Sequence, residues 1–389
     1  MTSGRLVLCG VVLGTAVSQA FGRFTYSLLF TDVRDDLGIS NTAAGAMGSA
    51  NLVAYLVGSL GVSLIVGRWG LGAVARAGLA GVTCGLGLLA WGPSTAVIAA
   101  ALVLTGCAAA GVWVTTPAIA TEILGVARRG LALGLVGTGV GIGVITASLL
   151  DLAVGGTDFR SVYVVEFAVG LVVLISLMSS MPRRGGTTGD RMSGFAALRM
   201  VPNWRRLLIE YLLLAWAMST VMTFTVGFLE DDAHVGRTTA NAAFLMIGVG
   251  IVLGGPVFGP LTDKFGPLRS QVAGLALMAS STLVIATGHP AAALCAASGF
   301  GMAFTGGPVT IGARIGDHLD GEAFGAAYGI ATIAFGLGLA IGPQLGGILA
   351  DASGSSRPAL LVTAFVSLTA LVVTLSEGGL LSERVEDPR

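Results

Sequence analysis

The amino-acid sequence predicts an all-α integral membrane protein in which 12 transmembrane helices form two pseudo-symmetric six-helix bundles. Three observations predict this fold. The 389 residues are 54% hydrophobic and only 11% charged, whereas soluble domains are about 25% charged. Apolar runs of about 20 residues, long enough to cross a bilayer as helices, occur twelve times. One polar, basic stretch divides these runs into two groups of six.

The dividing stretch covers residues 182–206 and reads PRRGGTTGDRMSGFAALRMVPNWRR, with six arginines. A segment of this kind cannot lie in hydrocarbon, because each buried charge would cost several kcal/mol. We therefore expect residues 1–181 to form an N-terminal bundle and residues 182–206 a cytoplasmic central loop. Residues 207–389 would form a C-terminal bundle with a short cytoplasmic tail.

The twelve apolar runs are continuous and show no alternation of polar and apolar residues, which excludes a membrane barrel and predicts helices. In the first half they lie at about 6–30, 43–66, 71–91, 95–121, 131–155 and 161–181. In the second half they lie at about 207–229, 240–262, 267–288, 291–314, 324–350 and 358–376. The first run begins after Arg5 like a secretory signal, but it continues past Ala20 to Phe30, so we expect it to remain as a span.

The arrangement of basic residues predicts the orientation. With the N-terminus inside, 16 of the 21 Lys and Arg residues lie on the cytoplasmic side and four on the outer side, and Arg23 lies within a span. This asymmetry follows the positive-inside rule and predicts that both termini are cytoplasmic. The net charge of zero gives no indication of a nucleic-acid partner.

A glycine-rich turn between the eighth and ninth segments carries the first recognisable motif. It runs from Gly259 through Asp263, Lys264 and Gly266 to Arg269, and it resembles the cytoplasmic G-x-x-x-D-R/K-x-G signature of the major facilitator superfamily. The resemblance implies a cytoplasmic gate in which Asp263 accepts hydrogen bonds from a helix N-terminus when that side is closed.

The equivalent turn of the first half keeps Arg68 and Gly70 but has Gly67 in place of the aspartate. We therefore expect the second half to carry most of this gate. Segment eleven contains GLAIGPQLGG from Gly338 to Gly347, which resembles the antiporter motif of the superfamily. That motif belongs in segment five, where this chain is rich in glycine but lacks the proline.

Two further stretches are similar to the YbfB/YjiJ-like subgroup of bacterial facilitators. They are FGRFTY from Phe21 to Tyr26 and GAMGSANLVAYLVG from Gly45 to Gly58. The subgroup resemblance implies a bacterial inner-membrane protein. The resemblance to the superfamily implies a monomeric state and a central cavity lined by segments one, four, seven and ten. It gives no substrate.

Arg23 is the leading substrate-binding residue, because a cation inside a span costs at least ~2.5 kcal/mol and usually faces water or a partner. Three interpretations stay open: it binds a substrate carboxylate or other anion, it forms a structural ion pair, or it extends to the outer interface. Glu166 of segment six is expected at a similar depth. It would either neutralise Arg23 or act as the proton-coupling residue.

The other predicted substrate-binding residues are polar or aromatic and lie on the cavity-lining segments or on segment two. Gln19 and Tyr26 share a helix face with Arg23, since they are spaced four and three residues away. The remaining predicted residues are Asn51, Tyr55, Trp113, Thr116 and Trp216. Each could equally form a hydrogen bond between helices.

These observations predict a secondary active transporter that moves a small organic solute, with an anionic group favoured by Arg23, and that is coupled to the proton gradient. Drug efflux is the alternative, and a non-transporting sensor or scaffold is a second one. No enzyme activity is expected, and the chain has no G-x-x-x-x-G-K-S/T loop for ATP. No cofactor is expected, and the four isolated cysteines and three scattered histidines predict no metal site.

Overall fold

A computed structural model describes residues 2–125, 129–154, 158–180, 194–319 and 321–377, and nearly all of these residues are helical. Twelve helices are long and apolar enough to cross a membrane. The predicted all-helical fold with twelve spans is therefore confirmed.

The helices of the first half are α1 (Thr2–Thr15), α2 (Thr25–Leu28), α3 (Phe30–Leu37), α4 (Asn41–Trp69), α5 (Leu71–Trp91), α6 (Thr95–Leu124), α7 (Arg129–Val154) and α8 (Phe159–Ser180). Those of the second half are α9 (Gly194–Leu198), α10 (Trp204–Gly227), α11 (Arg237–Phe265), α12 (Pro267–Ile285), α13 (Pro290–Gly316), α14 (Gly321–Ser353) and α15 (Arg357–Leu375). Two π-helices occur, Ala16–Phe24 between α1 and α2, and Phe228–Asp232 after α10. The first span thus consists of α1, a π-helix and α2.

Residues 182–193 of the predicted central loop and 378–389 of the predicted tail lie outside the described residues. From Gly194 onward the loop is partly helical, since it contains α9 and the first turn of α10. Because α10 begins at Trp204, the seventh span starts slightly earlier than predicted.

The turns at Gly70 and Gly266 have nearly the same backbone conformation. Gly70 has φ 80° and ψ 155°, and Gly266 has φ 83° and ψ 157°. These values lie in a region that is open almost only to glycine. The two residues connect α4 to α5 and α11 to α12, so they occupy equivalent places in the two halves.

The halves meet where α4 packs against α14 and where α7 packs against α11. We call the end of the bundle that carries α3 and the connection from α10 to α11 the outer end, and the opposite end the inner end. Towards the outer end the halves are in close contact. A Cβ atom added at Gly141 of α7 would lie 2.9 Å from the carbonyl oxygen of Gly248 in α11.

Two turns closer to the inner end this contact is lost. Gly134 and Gly255 lie seven residues from Gly141 and Gly248, and therefore on the same helix faces. Among the described residues, a Cβ added at either position would meet no atom within 4 Å. The halves are thus in close contact towards the outer end, and these two faces have no described neighbour towards the inner end.

Candidate functional site

A central cavity lies between the halves at the level of the π-helix in the first span. Its lining residues are Arg23, Phe24, Tyr26, Ser27, Gly48, Asn51, Leu52, Met218, Ser219, Met222, Thr223, Phe304, Leu339 and Pro343. The free space is about 20 Å³, enough for about one water molecule. The conformation therefore holds the site nearly collapsed.

The π-helix places the key residues of the first span. Its hydrogen bonds span five residues, and the last one runs from the backbone N–H of Thr25 to the carbonyl oxygen of Ala20. π-Helical turns are rare and occur frequently at functional sites. All nine residues from Ala16 to Phe24 are buried. The wide turn presents Gln19 and Arg23 to each other.

Arg23 is buried, with 7% of its surface exposed, yet no carboxylate pairs with it among the described residues. Its Nη1 donates a hydrogen bond to Gln19 Oε1 over 2.7 Å. Its guanidinium lies over the ring of Tyr55, with 4.2 Å between Cζ and the ring centroid. Among the described residues, its buried Nε and Nη2 have no hydrogen-bond partner. The site therefore holds a positive charge that the described protein does not neutralise.

Asn51 and Tyr26 line the cavity but are also tied to the backbone. The amide nitrogen of Asn51 lies 3.1 Å from the carbonyl oxygen of Gly22 and 2.7 Å from that of Leu102. The hydroxyl of Tyr26 donates to the carbonyl oxygen of Ala44 over 2.7 Å. Both side chains join the first span to neighbouring helices.

The remaining predicted binding residues do not line the cavity. Gln19 and Tyr55 lie behind Arg23 and hold it in place. Trp113 and Trp216 are half-buried and lie nearer the inner end of α6 and α10 than the cavity does. Thr116 is buried, and its hydroxyl has no hydrogen-bond partner in the described part of the chain.

The second half contributes a wall that the sequence did not single out. It consists of Met218, Met222, Phe304, Leu339 and Pro343, together with the hydroxyl residues Ser219 and Thr223. Apolar residues facing a cavity have the same composition as those facing lipid, so the sequence carries no signal for them.

Of the two roles left open for Glu166, pairing with Arg23 is not found in this conformation. Glu166 is fully buried in α8, and its Oε1 accepts a hydrogen bond from the Thr25 hydroxyl over 2.5 Å. Arg23 and Thr25 are two residues apart, so they point to nearly opposite sides of the first span. The arginine faces the cavity, whereas Glu166 lies behind the span beside Tyr163. The hydroxyl of Tyr163 is also buried, with no hydrogen-bond partner among the residues that the structure describes.

Ion pairs close the outer end between the halves. Arg237 of α11 forms a bidentate pair with Asp32 of α3, at 2.6 and 2.8 Å. It also contacts Asp151 of α7 at 2.7 Å. Arg34 pairs with Asp231 at 2.9 Å. These three pairs all join one half to the other, so we call this cluster the outer gate.

The predicted cytoplasmic gate residues lie at the inner ends of α4, α11 and α12. Arg68, Asp263, Lys264 and Arg269 are exposed there. In the described part of the chain, Asp263 makes no ion pair. The role of these residues as a gate therefore stays a prediction.

The glycine-rich motif of α14 serves two contacts. Gly338, Gly342 and Gly346 pack against α10 in their own half, and Pro343 and Gly347 contact α4 across the interface. A Cβ at Gly347 would lie 2.6 Å from the carbonyl oxygen of Asn41. The motif therefore contacts both α10 of its own half and α4 of the other half.

Comparisons with known proteins agree with this architecture. The family described as "Uncharacterised MFS-type transporter YbfB" matches residues 15–375. An uncharacterized 38 kDa protein in the 23S RNA operon of Thermoproteus tenax is 29% identical over 67% of this chain and 66% of its own length. Inner membrane transport protein YdhP of Escherichia coli K12 is 26% identical over 56% of this chain and 59% of its own length. The chain thus spans about three fifths to two thirds of the length of these relatives.

Among solved structures, the nucleoside transporter NupG has the same fold. Its TM-score is 0.75, with 12% identity, and the match covers 94% of this chain and 99% of that one. At this identity the likeness concerns the fold and not the substrate.

Proposed function

Because the chain belongs to the YbfB-type family of major facilitator superfamily transporters, we propose that it moves a small organic anion across the membrane by alternating access, coupled to protons. The observation that carries the anion is Arg23, a buried and unneutralised cation at the wall of the central cavity. A buried charge without a counter-charge is costly. A bound anion would remove this cost and add charge-assisted hydrogen bonds.

The interface between the halves supports alternating access. The outer gate and the Gly141 contact close one side, whereas the faces at Gly134 and Gly255 are open on the other. Rocking of one bundle against the other would exchange these two arrangements. In the opposite state we expect Asp263 and its neighbours to close the inner end.

Glu166 supports proton coupling. Its Oε2 is buried without a partner, and no cation lies beside it among the described residues. Because an ionised carboxylate in such a place would cost several kcal/mol, we infer that the group holds a proton in this conformation. Movement of the first span could expose it to water and release the proton.

Efflux of cationic drugs is the alternative, and the cavity argues against it. The described lining residues include a cation and no carboxylate. A cationic solute would be repelled by Arg23 at short range, in surroundings that screen charge weakly.

We further propose that the protein acts as a monomer in a bacterial inner membrane with both termini cytoplasmic.

Counterflow in proteoliposomes tests this function. Liposomes would be reconstituted with wild type, Arg23→Ala or the control Arg357→Ala and loaded with an unlabelled organic anion. Uptake of the same anion in labelled form would then be measured. Arg357 donates to the carbonyl oxygen of Ala286 in its own half and lies away from the cavity. We expect exchange of at least one anion by wild type and the control, and a loss of about tenfold or more in Arg23→Ala. Equal exchange of a lipophilic cation by all three proteins would favour efflux. No exchange of any solute would favour the non-transporting alternative.

A further inference from the structure

The free edge of the Arg23 guanidinium has a definite shape. A guanidinium offers its Nε and Nη2 hydrogens on one edge, as two parallel donors that match the two oxygens of a carboxylate. In Arg23 these two nitrogens are the buried atoms without partners. Nη1 is already used by Gln19. The site is therefore prepared for one bidentate acceptor.

The neighbours of Arg23 hold that edge in place. The amide nitrogen of Gln19 donates to the carbonyl oxygen of Ala109 over 3.1 Å, which turns its Oε1 towards Arg23. The ring of Tyr55 covers one face of the guanidinium at 4.2 Å. A donor pair fixed before the ligand arrives loses little freedom on binding.

The opposite wall offers carbon and sulfur. Met218, Met222 and Phe304 line it, and the two hydroxyl groups between them are occupied. Ser219 donates to the carbonyl oxygen of Trp216 over 3.1 Å, and Thr223 donates to that of Ser219 over 2.8 Å. Among the described lining residues Arg23 is the one cation. A second negative charge on the ligand would thus be left without a counter-charge among these residues.

We propose that the ligand is an amphipathic monocarboxylate: its carboxylate binds the Nε and Nη2 edge of Arg23 and its apolar body lies on the wall formed by Met218, Met222 and Phe304. This inference rests on the anion transport proposed above and narrows it to one class. The nearly collapsed cavity must widen to admit the body. Methionine side chains suit that change, because three rotatable bonds let them adapt to the ligand.

Thermal shift of the detergent-purified full chain tests the class with matched probes. Benzoate carries one carboxylate and a ring, and acetate carries the carboxylate alone. Phthalate and phenylphosphonate keep the ring and carry more charge, and benzylamine reverses the charge. We expect benzoate to stabilise wild type with an apparent affinity about tenfold or more above that of acetate, because the ring buries apolar surface. We expect no effect of benzylamine.

Three variants locate the contacts. Arg23→Lys keeps the charge but loses the two parallel donors, and should weaken the binding of benzoate about tenfold or more. Met222→Gln should reduce the preference for benzoate over acetate. The control Thr225→Val should change neither, because the Thr225 hydroxyl bonds the carbonyl oxygen of Val221 in its own helix and does not line the cavity.

The outcomes separate this inference from the function on which it rests. If phthalate or phenylphosphonate stabilises wild type more than benzoate, and Arg23→Lys weakens that effect, the anion site stands and the monocarboxylate class is wrong. If benzoate and acetate bind equally, the apolar wall is not part of the site. If no anion stabilises the protein in a way that depends on Arg23, both proposals fail. The comparison of probes on wild type alone decides the class even if a variant does not fold.

Discussion

Arg237 Nη2 donates to Asp151 Oδ1 over 2.7 Å and so joins α11 of the second half to α7 of the first. At the equivalent place in the second half, Asp351 of α14 accepts hydrogen bonds from the backbone N–H groups of Asn41 and Thr42, at 3.0 and 2.7 Å. Those two groups open α4, where a carboxylate also stabilises the positive end of the helix dipole. The pseudo-symmetric aspartates Asp151 and Asp351 thus each fasten one of the two contacts between the halves.

Loss of Arg237 should open the outer gate. We expect Arg237→Gln to raise the labelling of a cysteine at Ser27, in a background without native cysteines, by an impermeant maleimide added on the outer side. Because Arg237 is 37% exposed, its pairs are weakened by solvent, and an increase of about tenfold, or ~1.4 kcal/mol, is reasonable. The control Arg357→Gln removes an outer arginine that contacts its own half. Equal labelling in both variants would mean that Arg237 does not hold the gate.

The turn at Gly266 should not tolerate a side chain. With φ at 83°, Gly266→Ala would be strained by about 1–3 kcal/mol although no atom lies within 4 Å of an added Cβ. Gly259→Ala is the control, because it has the same free space in a helical backbone, where alanine is favoured by up to ~1 kcal/mol. Thermal unfolding in detergent should therefore shift in opposite directions. A shift of the same sign in both variants would contradict the backbone argument.

Glu377 should make stability depend on pH. It lies beyond the end of α15, where burial raises its pKa to about 7, Arg314 opposes the rise, and Glu210 adds to it. The folded chain then binds a proton more tightly than the unfolded chain, whose ordinary carboxyl pKa is near 4.5. The stability from this proton is complete below that value and is lost as the pH rises through about 7.

Melting curves between pH 5 and pH 8 check this. We expect the melting temperature of wild type to fall over the range and that of Glu377→Gln to fall less. Ser376→Ala, an uncharged change at the next residue, should follow wild type. A wild-type slope that survives in Glu377→Gln would assign the pH dependence to another group, such as the neighbouring Glu210.

The fold and the position of Arg23 at the cavity could be predicted from the sequence. The physical reasons for this also explain which features could not be predicted. Span number follows from length and hydropathy, and Arg23 stood out because a cation in a span is expensive. The wall of Met218 and Met222 could not be found in this way. A methionine that faces a cavity and one that faces lipid have the same hydropathy, so hydropathy does not distinguish them.

The partner of Glu166 was missed for a geometric reason. Depth along the span was inferred correctly enough to place Glu166 near the level of Arg23, but depth says nothing about the side of a helix on which a neighbour lies. Thr25, two residues beyond Arg23, faces Glu166. The π-helix that ends at Phe24 also changes the rotation of each residue, and sequence spacing assumes a regular α-helix.

The ring of Tyr55 should contribute to binding through the face that it offers to Arg23. A cation–π contact with a desolvated arginine is worth about 0.5–2 kcal/mol. We expect Tyr55→Leu to weaken benzoate binding by roughly twofold to thirtyfold. Tyr55→Phe is the matched variant, because it keeps the ring and should retain most of the affinity. If Phe and Leu weaken binding equally, the hydroxyl matters rather than the ring.

Glu166 should separate exchange from accumulation. Counterflow moves substrate both ways without net proton transfer, whereas accumulation against a gradient requires the proton to cross with each cycle. If Glu166 carries that proton, Glu166→Gln should keep counterflow and lose uptake driven by an imposed pH gradient, because glutamine fills the same space and cannot ionise. Thr25→Val removes the hydroxyl that contacts the carboxyl but leaves the carboxyl itself, so it should retain driven uptake. Driven uptake by Glu166→Gln at the wild-type rate would place the proton elsewhere, and loss of both activities would make Glu166 a structural residue that holds the first span against α8.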